Sequence, residues 1–323
     1  MISDEIIKNN INNTVKETDF SGLGEKYKGK VRDNYTDKEN GKRVIVVTDR
    51  ISAFDVVLGT IPFKGQVLNQ LAAFWFNETK DVAPSHFIEN PDPNVMIVKL
   101  CKTFPVEVIV RNYITGSLWR EYEKGEDNYG LGLPSGMKKD QKFDQLIITP
   151  STKADEGHDL PMKREDVLKL IPEEKYAKME ETALKLFARG SEIAAKRGLI
   201  LVDTKYEFGE SSDGEILVID EIHTPDSSRY WIKESYDELF GKKQSQKMLD
   251  KEYIRQWLIN EKGYMGNGPA PQLSEEVIVT AAKKYIELYE LITGEKFEVV
   301  EGNVDSRIRK NLLNKGLKVE ENG

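Results

Sequence analysis

Between residues 25 and 110 short apolar runs alternate with polar turns, at 27–35, 43–48, 95–100 and 106–110, and such runs predict strands. Among them Leu68, Leu71, Ala72, Trp75 and Phe76 fall at i, i+3, i+4, i+7 and i+8, which lays one apolar stripe along a helix packed on a sheet. Residues 115–162 read as loops, because Gly130, Gly132, Pro134, Gly136 and a polar stretch from Ser151 to Gly157 break any period. A long helix is predicted from about Pro172 to Arg197, with Met179, Ala183, Leu186, Phe187, Ile193 and Ala194 inward and Gly198 as a left-handed cap. A strand follows at once. The last third carries a helix near Lys251 to Glu261 and another that opens at Ser274, holds Glu275 and Glu276 in its first turn and closes at Gly294. Four regions result: a polar, helical lead-in (1–20), a β-rich lobe (21–110), a central α+β lobe (111–240), and a helical C-terminal region (241–323).

Composition narrows the partners. With 39% hydrophobic and 32% charged residues the chain is expected to fold throughout, and its 323 residues suit two or three domains sharing a cleft. Fifty-five acidic against 47 basic residues give a net charge of -8, which argues against nucleic acid and membrane surfaces as partners, so a phosphate must meet a local positive site. The single cysteine, Cys101, excludes an intrachain disulfide and fits a reducing compartment. No run approaches the roughly 18 apolar residues of a membrane span, and the start, Met1 to Thr18, is polar rather than a signal peptide; the cytoplasm is the expected address.

Three groups of residues could carry chemistry. If residues 27–35 form one strand, Lys28, Lys30 and Arg32 share a face, which is either a solvated charge run or a grip for a polyphosphate that Gly29 lets approach the backbone. Lys99 ends a run that reads as a buried strand and must either snorkel, pair with a structural partner or meet a ligand anion there, and residues 102–107 offer linker backbone for an adenine edge. The strongest group is a hairpin. With Asp213-Gly214 as a two-residue turn, Glu207 falls opposite Asp220, on a face shared with Asp203 and Lys205. Two opposed carboxylates call for a cation, and magnesium, which prefers one or two carboxylates plus phosphate oxygens and water, suits the pair. The alternative is a surface hairpin whose carboxylates diverge or pair with lysines. Arg111, in a strand that enters the Gly116-Ser117 turn, and Arg229, after Asp226-Ser227-Ser228, are candidate anion clamps, with Arg255 a third. His86, His158 and His223 show no metal-ligand spacing.

The segments Phe104-Pro-Val-Glu-Val-Ile-Val-Arg111-Asn-Tyr-Ile-Thr-Gly116-Ser117 and Leu201-Val-Asp203-Thr-Lys205-Tyr-Glu207-Phe-Gly209 resemble signature segments of the SAICAR synthetase (phosphoribosylaminoimidazole-succinocarboxamide synthase) family. Gly29 to Asp33, Thr48 to Asp55, Ser151 to Asp155, Asp220-Glu221 and Asp226 to Trp231 extend the similarity. The resemblance implies an α+β fold with two β-rich lobes around an ATP cleft, related to kinase and ATP-grasp architectures, and a helical C-terminal part. It implies an ATP-dependent ligase of de novo purine biosynthesis that joins L-aspartate to the carboxylate of carboxyaminoimidazole ribonucleotide, through an acyl phosphate, giving SAICAR, ADP and phosphate. By the same resemblance Lys30, Arg32 and Lys99 meet the ATP phosphates, and Glu207 and Asp220 hold magnesium beside the nucleotide. Arg111, Ser117, Asp203, Lys205, Arg229 and Arg255 hold the ribonucleotide, and Lys153 and Asp159 lie near aspartate and the reacting carboxylate. A small-molecule kinase and a nucleotide sensor stay open as alternatives, as does the choice between monomer and homo-oligomer.

Overall fold

The computed structural model describes residues 2–54, 56–153, 159–249, 252–300 and 302–319. Asp55, the motif residues Ala154 and Asp155, Gly157 and His158 lie outside them. The chain forms two compact units: residues 1–77, 86–100 and 250–323 make the first, and residues 78–85 and 101–249 the second.

The first unit opens with helix α1 (Asp4–Asn9), capped by the Ser3 side chain. Helix ends there, earlier than the lead-in reading expects. The Asn-rich stretch that follows is a poor helix former, and its apolar residues Val15 and Phe20 pack into the core instead. Strands β1 (Glu25–Lys28), β2 (Arg32–Asp37), β3 (Lys42–Val47), β4 (Arg50–Ala53) and β5 (Val56–Thr60) lead to helix α2 (Lys64–Glu78), whose predicted stripe of Leu68, Leu71, Ala72, Trp75 and Phe76 is buried throughout. Strands β6 (Phe87–Asp92) and β7 (Val95–Lys99) complete an antiparallel sheet in the order β1-β2-β3-β7-β6. Its pleat sets the core. Val44 lies between Tyr35 on β2 and Ile97 on β7, Val46 pairs with Val95, and all five are buried in one cluster.

The second unit contains β8 (Lys102–Tyr113), α3 (Gly116–Glu123), β9 (Lys142–Thr152), α4 (Arg164–Val167), α5 (Glu173–Lys196), β10 (Leu199–Glu210), β11 (Ile216–Ile219), β12 (Ser228–Ile232) and α6 (Tyr236–Gly241). Its sheet runs β11-β10-β8-β9, with β12 also on β10. One face is apolar. Val106, Val108 and Val110 of β8 and Val202, Tyr206 and Phe208 of β10 are buried there, and α5 packs on both strands through the predicted Met179, Ala183, Leu186, Phe187 and Ala194. Gly198 ends the helix at φ +73°, as its place after the last turn requires. Strand β9 replaces part of the expected loop: it is the outer strand of the sheet, where Pro150 costs no ladder hydrogen bond.

Helices α7 (Glu252–Lys262), α8 (Glu275–Thr293) and α9 (Val304–Asn314) return to the first unit. Ser274 caps α8 and Gly294 closes it at φ +77°, at the positions read from the sequence. Helix α9 drives Ile308 and Leu312 into the first unit's core, and Arg307 pairs with Asp92 at the end of β6 at 3.1 Å. No helix among the described residues is long and apolar enough to cross a membrane.

Candidate active site

The residues between the buried valines of β8 point to the other face of the second unit's sheet, and that face is polar. Glu107, Ile109 and Arg111 lie directly opposite Glu207, Lys205 and Asp203 of β10, and opposite Ser151, Thr149 and Ile147 of β9. Side chains in successive rows of one face are neighbours, so two charged clusters stand side by side. In the first, Arg111 donates from Nε to Thr149 Oγ1 at 2.8 Å, from Nη1 to Asp203 Oδ2 at 3.2 Å and from Nη2 to Ser117 Oγ at 3.4 Å. Arg229, directly opposite Asp203 on β12, donates to the same carboxylate oxygen. One aspartate thus holds two guanidiniums, which leaves an excess of positive charge beside the Ser117 hydroxyl at the start of α3: the chemistry of a phosphate or carboxylate clamp. Gly116 sits at φ +58°, which favours glycine, and a methyl group there would displace the Arg229 guanidinium from its present position.

The second cluster centres on Glu207. Its Oε1 accepts from Lys205 at 2.6 Å and its Oε2 from Lys153, while Lys205 also donates to Glu107 at 2.6 Å. Lys205 is half-buried; desolvation pulls its pKa down, but Glu107, Asp220 and Glu221 outweigh that and hold it above the usual lysine value.

Asp220 reaches this cluster by a route other than the expected register. Strand β11 pairs Glu207 with Ile219, one residue off, because the turn has three residues: Ser211 pairs with Glu215, and Gly214 takes the left-handed conformation at φ +84°. A one-residue shift sends a side chain to the opposite face. Asp220, however, lies just past the strand at φ +65°, which breaks the pleat, and its charge still acts on Lys205. His223 is also left-handed, at φ +54°. Such strained positions persist where surrounding contacts enforce them, and here they do: the His223 ring takes the Tyr206 hydroxyl at 2.6 Å, Tyr230 donates to its carbonyl at 2.7 Å, and Thr224 donates to Glu221 at 2.6 Å. Burial lowers the His223 pKa to about 3, so the ring is neutral at physiological pH.

In the first unit the expected strand over 27–35 is a hairpin. Lys28 pairs with Asp33, and the Gly29 N–H bonds the Arg32 carbonyl at 2.8 Å, so Lys30 stands exposed at a tight tip and Arg32 begins β2. Sequence reasoning missed what fixes this tip. Arg50, buried, donates to the Lys30 carbonyl at 3.0 Å, the Gly29 carbonyl at 2.9 Å and Asp33 at 2.8 Å. Lys99 is exposed, not buried, and pairs with Lys42, whereas Arg32 pairs with Val47. Five residues of β3 separate those levels, roughly 17 Å along the strand, so the sheet does not bring Lys99 to Lys30 and Arg32. Arg255 is half-buried on α7 in the same unit, and Asp159 is exposed on the segment after β9. Residues 102–107 are strand β8, paired to β10 and β9, rather than a free linker for adenine.

Among the described residues no group of three or more His, Cys, Asp or Glu side chains gathers as an all-protein metal cage. The donor set that exists is Glu207, whose oxygens both face ammonium groups, with Asp220 acting on the same lysine. In the structure both Glu207 oxygens are taken by lysine ammonium groups.

The family model for SAICAR synthetase matches residues 25–271. The chain is 49% identical over 308 residues to a phosphoribosylaminoimidazole-succinocarboxamide synthase of Bacteroides fragilis, covering 92% of this chain and 97% of the relative. It is 45% identical over 299 residues to one from Legionella pneumophila strain Paris, covering 90% and 95%. Among solved structures it is similar to the SAICAR synthase of Saccharomyces cerevisiae complexed with SAICAR, at 34% identity and TM-score 0.78, covering 88% of this chain and all of that one. A SAICAR synthetase in complex with ADP aligns at 29% identity and TM-score 0.66, covering 85% of this chain and all of that one.

Proposed function

Because this chain belongs to the SAICAR synthetase family, we propose for it the ATP-dependent ligation of L-aspartate to the carboxylate of carboxyaminoimidazole ribonucleotide, with SAICAR, ADP and phosphate as products. The observation that carries the reading is the polar face of the second unit's sheet, where an arginine clamp and a carboxylate–lysine cluster occupy neighbouring rows. Arg111, Ser117 and Arg229 would take the ribonucleotide's phosphate, held in place by Asp203 and Thr149. Glu207 and Asp220 would hold magnesium, which supplies charge neutralisation at the ATP phosphates. Within the first unit Lys30 and Arg32, at the hairpin tip and the start of β2, suit a polyphosphate, and the sheet of that unit does not bring Lys99 to them.

A carboxylate reacts poorly with an amine because oxide is a poor leaving group. In the proposed sequence a carboxylate oxygen of the imidazole ribonucleotide bonds to the γ-phosphorus as the bond to ADP breaks. The aspartate amine then attacks the acyl carbon, phosphate leaves with the C–O electron pair, and the amine loses a proton. Catalysis of this kind is positioning and charge neutralisation, which suits a face carrying lysines, arginines and carboxylates. Lys205 and Lys153 would steady the reacting carboxylate and its phosphate, with Arg255 and Asp159 as outlying contacts to ribonucleotide and aspartate. The cytoplasm is the proposed address.

Steady-state turnover with each substrate omitted in turn tests this. ADP release should need both the ribonucleotide and aspartate, and full-rate ADP formation without aspartate would make the protein a kinase.

A further inference from the structure

Glu107 has no part in the reading above, although it is buried in the centre of the polar face. It lies directly opposite Glu207 across β8 and β10 and opposite Ser151 across β8 and β9. Carboxylates so opposed have Cβ atoms about 5 Å apart and destabilise a sheet unless a cation stands between them. Lys205 is that cation, 2.6 Å from an oxygen of each. The other Glu107 oxygen accepts the Ser151 hydroxyl at 3.1 Å, so its partners are all fixed in the sheet. Glu207 differs, because its second partner is Lys153, which lies just past the end of β9 with a side chain 35% exposed.

We propose that Glu107 is a positioning residue of the ligation: it anchors Lys205, so that Lys205 keeps its place while Glu207 exchanges its lysine partners for the nucleotide's magnesium. This rests on the reading of Glu207 as a metal ligand. Glu107 and Lys205 form a neutral unit, which leaves the Glu207 charge available to an incoming cation. Without Glu107 the Lys205 ammonium has Glu207 as its close remaining partner, and magnesium must then compete with a half-buried lysine for the same oxygens. The side chain would act through Lys205 without touching nucleotide or metal.

Calorimetric titration of the full-length protein with ADP, with and without magnesium, reads this directly. Glu107→Gln should weaken magnesium-dependent ADP binding by about tenfold, the lower end of what loss of a ligand-supporting group costs, leave magnesium-free ADP binding unchanged, and raise KM for ATP more than it lowers kcat. In a Lys205→Met background the second substitution Glu107→Gln should change magnesium-dependent ADP binding by less than about twofold, since a residue acting only through Lys205 has nothing left to act on. That comparison also serves if Glu107→Gln alone fails to fold, because the double variant removes both charges together. Parent-like magnesium dependence and KM in Glu107→Gln, or a further loss in the double variant, would overturn the inference. Glu207→Gln separates the two levels: if it retains the magnesium dependence of ADP binding, the metal reading falls and the inference with it. If Glu207→Gln loses that dependence while Glu107→Gln keeps it, only the inference falls.

Discussion

Gly116 shows how much one missing side chain can determine. It holds φ +58° and yields the space that the Arg229 guanidinium occupies, so Gly116→Ala adds backbone strain of about 1–2 kcal/mol and pushes Arg229 off Asp203. We expect KM for the ribonucleotide to rise by about tenfold or more, as small misplacements of clamp residues do, with KM for ATP unchanged; initial-rate kinetics with each substrate varied would show it, and an equal rise in both would break the assignment of this clamp. That Arg111 and Ser117 lie together is legible in sequence, because strand, guanidinium, glycine and hydroxyl follow one another. The turn's dependence on Arg229 is not, since that partner arrives from another strand. His223 was illegible for the same reason: a lone histidine has no spacing to read, and its role as a neutral post between Tyr206 and the turn after β11 exists only once β10 is folded.

At the scale of elements, the hairpin tip of β1 and β2 depends on Arg50. Arg50→Met removes the donor to the Gly29 and Lys30 carbonyls and leaves the buried Asp33 carboxylate without its guanidinium. Breaking a buried ion pair from one side costs roughly 3–5 kcal/mol, so urea unfolding should show a loss of that order, and the folded fraction should bind ATP more weakly with ribonucleotide affinity preserved. The helices are legible because α2, α5 and α8 carry long apolar stripes, and α8 is bounded by the Ser274 and Gly294 caps as well. Strands were read less well where polarity hid them. Residues 27–35 alternate through a glycine that lies in a turn rather than in a strand, and β9 is hidden by Pro150 and by the charged and polar residues at its start. The β10–β11 register slipped by one because the Asp213-Gly214 pair sits in a three-residue turn, a difference that only the Ser211–Glu215 pairing reveals.

At the scale of the whole chain, α9 completes a core that began with Val15 and Phe20. Removing residues 303–323 takes away Ile308, Leu312 and Val319, all buried. At about 1.5–3 kcal/mol for each such side chain, the truncated first unit should lose on the order of 5–9 kcal/mol, enough to unfold it; a cooperative unfolding transition of parental size would contradict that. No periodicity in the first hundred residues foretells this dependence, because each strand there looks complete by itself. The consequence is one of timing on the ribosome. The second unit draws almost all its residues from one continuous stretch and can condense as soon as that stretch has emerged, whereas the first must keep its opening strands waiting for a partner helix still to be translated. At synthesis rates of about 5–20 residues per second that delay is roughly 10–50 s, during which a half-built apolar sheet is exposed to the chaperones of the nascent chain.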